Sequence, residues 1–257
     1  MLSLLFTLSI ALPQPGQKWI RAESGNFTIV SSAGERETRE VAASLEQLAG
    51  ALRRVHPRFE AKAAETKIFL FARRRDSQPY FDLLLSRQRA HLSGAYVVHG
   101  NRTGTMFIDS EHSFWRDRTV FHELMHNILS ASGSRLPLWL EEGIAEYFSS
   151  AEIRGAALTV GKPLPEHQRL LRKHDVLPIE KILAAETGSP IASHALFYPQ
   201  SWAIVDLLMR TNREAFYSFV TDIEAGASAE TSLRAHYGME PRIIEAQLRY
   251  PLPRPSA

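Results

Sequence analysis

The chain contains the sequence FHELMH at residues 121–126, and the sequence LWLEEGIAEYF follows it at residues 138–148. The first stretch has the pattern HExxH. Because residues four apart lie on one face of a helix, His122 and His126 can point their ring nitrogens at one metal ion. Glu123 lies beside that ion, where its carboxylate can accept a proton from a water that zinc has acidified. The two stretches together are typical of a zinc hydrolase.

A third zinc ligand is expected in the second stretch, because a catalytic zinc usually takes three protein ligands and keeps a fourth position for water. If residues 137–149 are helical, Glu142 and Glu146 face the same way, and Pro137 suits the first turn of such a helix. One carboxylate would bind zinc, and the other would accept a hydrogen bond from a zinc-bound histidine. Glu141 is expected to point elsewhere, into solvent.

The sequence WLEEGIA at residues 139–145 resembles the W-L-N-E-G-F-A motif of aminopeptidase-N-like enzymes. With HExxH, this motif makes the chain similar to the gluzincin zinc metallopeptidases, which include thermolysin, and above all to the small bacterial peptidase MA-like group. The resemblance implies a zincin-like fold in which Glu142 is the third zinc ligand. It also implies that Glu146 supports a zinc-binding histidine.

The sequence YPQSWAIV at residues 198–205 resembles the Y-x-K-G-x-x-V-L segment of the same enzymes, with Gln200 and Ser201 in place of the lysine and glycine. The resemblance implies that the Tyr198 hydroxyl donates a hydrogen bond to the oxyanion of the tetrahedral intermediate. A phenol directed at developing charge suits that role. His194 is the second candidate for this donor.

The sequence GAYVV at residues 94–98 stands where aminopeptidases of this branch have G-A-M-E-N. The resemblance implies that the strand is kept, but the glutamate that anchors a substrate amino terminus is absent. Aminopeptidase activity is therefore disfavoured. A strand at this place could still pair with an extended peptide, as the edges of sheets do.

Composition excludes other classes of site. The 257 residues contain no cysteine, so neither disulfides nor thiolate zinc ligands are possible. The net charge is only +2, and no basic block is long enough to indicate nucleic-acid binding. A peptide or protein substrate is the expected partner, and the sequence does not indicate an oligomeric state.

The two ends of the chain are expected to lie outside the folded domain. Residues 1–12 form an apolar run with small residues at its end, which is typical of a signal peptide and predicts export to the periplasm or beyond. A buried first element of a cytoplasmic protein is the alternative. Neither this run nor any later segment is long and apolar enough to span a membrane. The proline-rich residues 251–257 are expected to be disordered.

Hydrophobic periodicity predicts an α+β fold in one domain over residues 18–250, and the resemblance implies that this domain is zincin-like and catalytic. The half at 18–135 should contain a mixed sheet with helices, the half at 136–250 should be mainly helical, and zinc should bind between them. Residues 157–193 are expected to be rich in loops. The predicted strands are 27–30, 67–71, 96–98 and 105–108, and the predicted helices are 35–55, 78–87, 113–129, 137–149, 199–210, 213–225, 227–237 and 241–250.

The sequence therefore predicts a zinc-dependent metallopeptidase in which Glu123 is the general base. Two alternatives stay open. One is a zinc hydrolase of a non-peptide amide or ester, and the other is a non-catalytic binding or scaffold protein whose zinc serves stability, in which Glu123 would be dispensable. The remaining histidines show no ligand spacing and are expected to be surface or packing residues: His56, His91, His99, His112, His167, His174 and His236.

Overall fold

A computed structural model describes residues 18–56, 59, 66–84, 94–98, 104–111, 113–154 and 157–249. The predicted signal peptide, the loop at 99–103 and the predicted tail lie outside the described residues. The elements in chain order are β1 (Ile20–Glu23), β2 (Phe27–Ser31), α1 (Glu35–Val55), β3 (Thr66–Phe71), α2 (Arg74–Leu84), β4 (Gly94–Val98), β5 (Gly104–Asp109), α3 (Ser113–Ala131), α4 (Leu138–Ser149), β6 (Glu152–Arg154), β7 (Ala157–Thr159), α5 (Pro165–Lys173), α6 (Ile179–Leu183), α7 (Phe197–Thr211), α8 (Arg213–Glu224), α9 (Ala229–Tyr237) and α10 (Pro241–Arg249).

The first half is built on a five-stranded sheet with the order β1-β2-β3-β5-β4. The three central strands run parallel, and β1 and β4 pair antiparallel at its two edges. The register aligns Ile29, Ile68 and Met106 across the central strands, and all three side chains are fully buried. The predicted mixed sheet and α+β class are confirmed.

Helices α1 and α3 pack together on one face of this sheet. Helix α1 buries Leu45, Leu48 and Leu52 completely, which is the apolar stripe that its sequence periodicity predicts. Helix α3 also contacts β4 and β5. The HExxH helix is therefore held directly against the sheet and its edge strand.

The second half is mainly helical, as predicted, and α4 lies at its centre between α3 and α7. Almost every residue of α4 is buried, including the bulky Trp139 and Phe148. The apolar core is continuous from Phe27 in β2 to Ile244 in α10. Residues 157–193, expected to be rich in loops, contain the short helices α5 and α6. Helix α5 is short and mostly polar.

Helices α4 and α7 approach each other closely at Gly143. A Cβ atom on this residue would lie only 2.5 Å from the Ser201 carbonyl oxygen and 2.7 Å from Val205 Cγ2. The first of these neighbours is backbone and cannot rotate away. The glycine therefore permits a helix contact that brings the start of α7, with Tyr198, up to Glu142 on α4.

Gly143→Ala is expected to lower the free energy of unfolding by about 1–3 kcal/mol, because the added methyl group overpacks the α4–α7 contact. Thermal or urea unfolding measures this change. Gly50→Ala on α1 is the matched control, since nothing lies within 4 Å of its Cβ position. In an open helical site the same substitution should stabilise by about 0.5–1 kcal/mol. Equal effects of the two substitutions would show that the close contact at Gly143 does not constrain the fold.

Among the described residues, no helix combines the length and the apolar character that crossing a membrane requires.

Candidate metal centre

The turn between α3 and α4 brings the two predicted motifs together. Helix α3 ends in a Schellman motif, in which Ser134 N–H donates to the Leu129 carbonyl at 3.1 Å and Gly133 N–H donates to the Ser130 carbonyl at 3.0 Å. Gly133 has φ 77°, the left-handed conformation that glycine adopts without strain. The chain then reverses direction, and Pro137 precedes the first turn of α4. Helix α4 consequently packs along the HExxH face of α3.

Three potential ligand atoms meet at this helix contact. The Nε2 atoms of His122 and His126 are 3.1 Å apart, and each lies 3.4 Å from Glu142 Oε2. Zinc held tetrahedrally with bonds of about 2.0–2.1 Å separates its ligand atoms by about 3.3–3.4 Å. Glu142 Oε2 is buried and accepts no hydrogen bond from any described residue. An orphaned carboxylate oxygen between two imidazole nitrogens fits a bound cation, so this donor set fits zinc.

Each imidazole has a carboxylate behind it. His126 Nδ1 donates to Glu141 Oε1 at 3.0 Å, and His122 Nδ1 lies 3.6 Å from Glu146 Oε1. The expectation that Glu141 points away from the site was wrong, although its side chain keeps 37% of its surface exposed. Because α4 packs lengthwise on α3, side chains from two adjacent positions of α4 reach the HExxH helix. Such partners usually orient metal-binding histidines and select their tautomer.

The centre concentrates charge in a buried space. Burial opposes protonation of His126, yet the carboxylates of Glu142 and Glu141 raise its pKa well above the usual value. Burial also disfavours ionisation of Glu142, but the two imidazoles reverse this and lower its pKa. The centre is thus a set of mutually attracting groups whose electrostatics favour a carboxylate facing two imidazoles.

Glu123 is buried beside the cluster, with 6% of its surface exposed. Burial raises its pKa, and the nearby imidazoles of His122 and His126 oppose that rise only in part. A carboxylate with a raised pKa is better matched to proton transfer near neutral pH. A Cβ atom on Gly94 would lie 2.9 Å from Glu123 Oε1, so the carboxylate lies directly against the backbone of edge strand β4.

Tyr198 approaches the cluster from α7. Its hydroxyl donates to Glu142 Oε1 at 3.3 Å, on the other oxygen from the one that faces the imidazoles. The side chain is half-buried. His194, the second candidate for the oxyanion donor, is exposed, and its Nδ1 accepts a local hydrogen bond from Leu196 N–H at 3.1 Å. The structure therefore brings Tyr198, rather than His194, to the ligand cluster.

Glu146 is buried and makes contacts that its sequence does not reveal. Its Oε2 accepts from Arg118 Nη2 at 2.5 Å and from His167 Nε2 at 3.1 Å. Burial disfavours its ionisation, yet His167, His122 and Arg118 lower its pKa to about 2. Glu146 is consequently a buried carboxylate with several donors around it rather than an exposed helix acid.

His167 is buried and packs against Trp202, as expected of a packing residue, but it also hydrogen-bonds Glu146, which was not expected. The sequence did not indicate the contacts of His167, because its partners Glu146 and Arg118 lie 21 and 49 residues away. His56, by contrast, stacks on Tyr217 with ring centroids 3.9 Å apart, as a packing histidine does. His174 is exposed, and His236 pairs with Asp222. His91, His99 and His112 lie outside the described residues.

A protein-family model matches part of the chain. Residues 117–226 match the model of a family described as "Protein of unknown function (DUF1570)". The match covers less than half of the chain, but it contains both motifs, Tyr198, and the Arg118 and His167 partners of Glu146. No curated protein matches the chain. The chain is thus similar to this family over the segment that carries the candidate centre.

Proposed function

We propose that the protein is a zinc-dependent metallopeptidase of gluzincin type, with a zincin-like fold and zinc bound between its sheet-containing and helical halves. One observation carries this proposal. Three potential ligand atoms, from His122, His126 and Glu142, are separated by the distances expected around one zinc ion. Glu123 lies buried beside them. A purely structural site would have no use for a base at this place.

Zinc, when bound, would polarise the scissile carbonyl and acidify a water molecule. The residues of the chain have distinct parts in the reaction. Glu123 accepts the proton of the attacking water and later delivers it to the nitrogen of the leaving amine. Tyr198 donates a hydrogen bond to the oxyanion of the tetrahedral intermediate. Glu141 and Glu146 hold the imidazoles of His126 and His122.

The position of β4 favours a peptide as the substrate. Among the described strands, β4 pairs with β5 on one side only, which leaves backbone groups at the sheet edge. An extended peptide can add to such an edge through main-chain hydrogen bonds. Because Gly94 of β4 touches Glu123, a peptide at this edge would pass beside the base. The missing aminopeptidase glutamate argues against recognition of a free amino terminus.

The proposal is tested by metal analysis of the purified protein together with hydrolysis of a mixed peptide library. About one zinc per chain and cleavage that a chelator abolishes would support a metallopeptidase. Hydrolysis of small esters or amides, but of no peptide, would favour the alternative zinc hydrolase. Bound zinc with no hydrolysis of either class would favour a scaffold. Absence of zinc affinity would overturn the proposal.

Tyr198→Phe is expected to lower kcat by about 10²–10³-fold, because one oxyanion donor is lost. KM should change little, because the hydroxyl acts on the oxyanion. Zinc is supplied in excess, since the hydroxyl also donates to the candidate ligand Glu142. Steady-state kinetics on a cleaved peptide measure the effect. Tyr237→Phe is the matched control, because its hydroxyl contacts the Leu208 carbonyl at the far end of α7. An unchanged kcat in Tyr198→Phe would assign the oxyanion donor to another group.

The predicted signal peptide indicates the cellular location in which the protein would act. We include export to the periplasm or beyond in the proposal, with peptides or proteins outside the cytoplasm as substrates. Comparing the amino terminus of the protein recovered from cells with the full sequence tests this part. An intact residue 1 on protein retained in the cytoplasm would contradict it.

A further inference from the structure

The region behind His122 contains a cluster of polar side chains, of which the proposed reaction uses only Glu146. It consists of Arg118 on α3, Glu146 and Ser149 on α4, and Glu166 and His167 on α5. All five lie next to one another and are buried or only partly exposed. Three helices are therefore joined by charged groups directly beside one metal ligand.

The two oxygens of Glu146 have different partners. Oε2 accepts from Arg118 at 2.5 Å and from His167 at 3.1 Å. Oε1 faces His122 Nδ1 at 3.6 Å. Two donors on one oxygen hold the carboxylate plane in a single orientation, and that orientation presents the other oxygen to the histidine.

Arg118 is itself held in place. It lies four residues before His122, on the same face of α3. Its Nε donates to Ser149 Oγ at 3.2 Å, and its Nη1 forms an ion pair with Glu166. Ser149 in turn donates to the Glu146 carbonyl at 2.7 Å. The guanidinium group is thus fixed by contacts to both α4 and α5, in the planar geometry that suits arginine.

His167 is equally constrained. Only 7% of its surface is exposed, and its ring lies edge-on to Trp202 with centroids 5.8 Å apart. Since a carboxylate only accepts hydrogen bonds, Nε2 must carry a proton to bond Glu146. Nδ1 is buried and has no hydrogen-bond partner among the described residues. The hydrogen bond from Nε2 to Glu146 is therefore the polar contact that fixes the orientation of this ring among the described residues.

We infer that Arg118 and His167 are positioning residues of the metal centre, which orient Glu146 so that it holds the His122 imidazole for zinc. This inference rests on the proposed zinc site. Groups that orient metal-binding histidines typically contribute about 10–100-fold to metal affinity. It follows that α5, distant from the HExxH motif in sequence, contributes to the affinity for zinc.

The test is the dissociation constant for zinc, measured by competition with a chromophoric chelator on the full chain. His167→Leu should weaken zinc binding by about 10-fold or more, because Glu146 loses one donor. His167→Gln should restore most of the affinity, since its amide N–H can donate to the same oxygen. Arg118→Met should weaken binding by about 10–100-fold. The visible spectrum of the Co²⁺-loaded protein should change in the two weakened variants, because it reports the coordination geometry.

Arg210→Met is the matched control, because it also removes an arginine from a buried carboxylate, that of Asp206, at the far end of α7. Its affinity for zinc should equal that of the wild type. Thermal unfolding of the metal-free proteins separates the two possible roles. If Arg118 and His167 only join helices, their variants will lose stability without zinc and keep the wild-type zinc affinity.

Two failures are distinguishable. A wild-type protein without affinity for zinc would overturn the proposed function and this inference together. Wild-type zinc binding that Glu142→Ala abolishes, with affinities of His167→Leu and Arg118→Met within about twofold of the wild type, would overturn this inference alone. If Arg118→Met does not fold, the comparison of His167→Leu with His167→Gln decides the outcome.

Discussion

Glu123→Gln is expected to bind zinc as the wild type does and to lose peptide hydrolysis by about 10²–10⁴-fold, the usual contribution of a general base. The amide keeps the size of the side chain but cannot accept the proton of the attacking water. Because burial raises the pKa of Glu123, the folded protein disfavours its charged form, and a neutral side chain should be well tolerated. Metal analysis and kcat/KM on a cleaved peptide measure the two quantities.

The matched control for this substitution is Glu245→Gln on α10. Its carboxylate accepts a hydrogen bond from Ile179 N–H at 2.7 Å, away from the candidate centre. Hydrolysis by this variant should equal that of the wild type. Retained hydrolysis in Glu123→Gln would contradict the proposed mechanism and would mean that another group serves as the base.

Glu142→Ala is expected to lose most of its zinc. Structural sites with four ligands bind zinc with about 10–16 kcal/mol, so one ligand is worth roughly 3 kcal/mol, or about 100-fold in affinity. The substitution removes the carboxylate that faces both imidazoles at 3.4 Å. It also removes the acceptor of the Tyr198 hydroxyl. Peptide hydrolysis at limiting zinc should fall together with metal content.

Glu152→Ala serves as the control for the loss of a carboxylate, because Glu152 follows α4 directly and pairs with Lys162 at the surface. Its zinc content should equal that of the wild type. Unchanged zinc affinity in Glu142→Ala would indicate that the third ligand is Glu146, the other acid on the same face of α4. The zinc affinity of this variant therefore distinguishes Glu142 from Glu146 as the third ligand.

Two of the helices were predicted well from the sequence. Helix α1 was predicted at 35–55 and observed at Glu35–Val55. Helix α4 was predicted at 137–149 and observed at Leu138–Ser149. The paired strands β4 and β5 were also predicted. Helices α5 and α6 were not predicted. They are short, and helices of this length depend on tertiary packing, here on α7 and α10.

The candidate ligands could be predicted because the helix repeat is a local property. His122 and His126 share a face of α3, and Glu142 and Glu146 share a face of α4, whatever the rest of the fold is. The contact of Glu141 with His126 was not predicted, because it depends on tertiary packing. The helix repeat says that it faces a different direction from Glu142, but the crossing of α3 and α4 decides that this direction still leads to His126.

The sequence by itself determined which residue types lie on which helix face, and therefore the HExxH pair, the candidate base beside it and the two candidate acids on α4. Only the tertiary structure decided how α3, α4, α5 and α7 pack, and so which of these faces meet. That packing joins Tyr198 to Glu142 across 56 residues and Arg118 to Glu146 across 28. Such contacts depend on close packing at positions such as Gly143, and no periodicity along the chain encodes them.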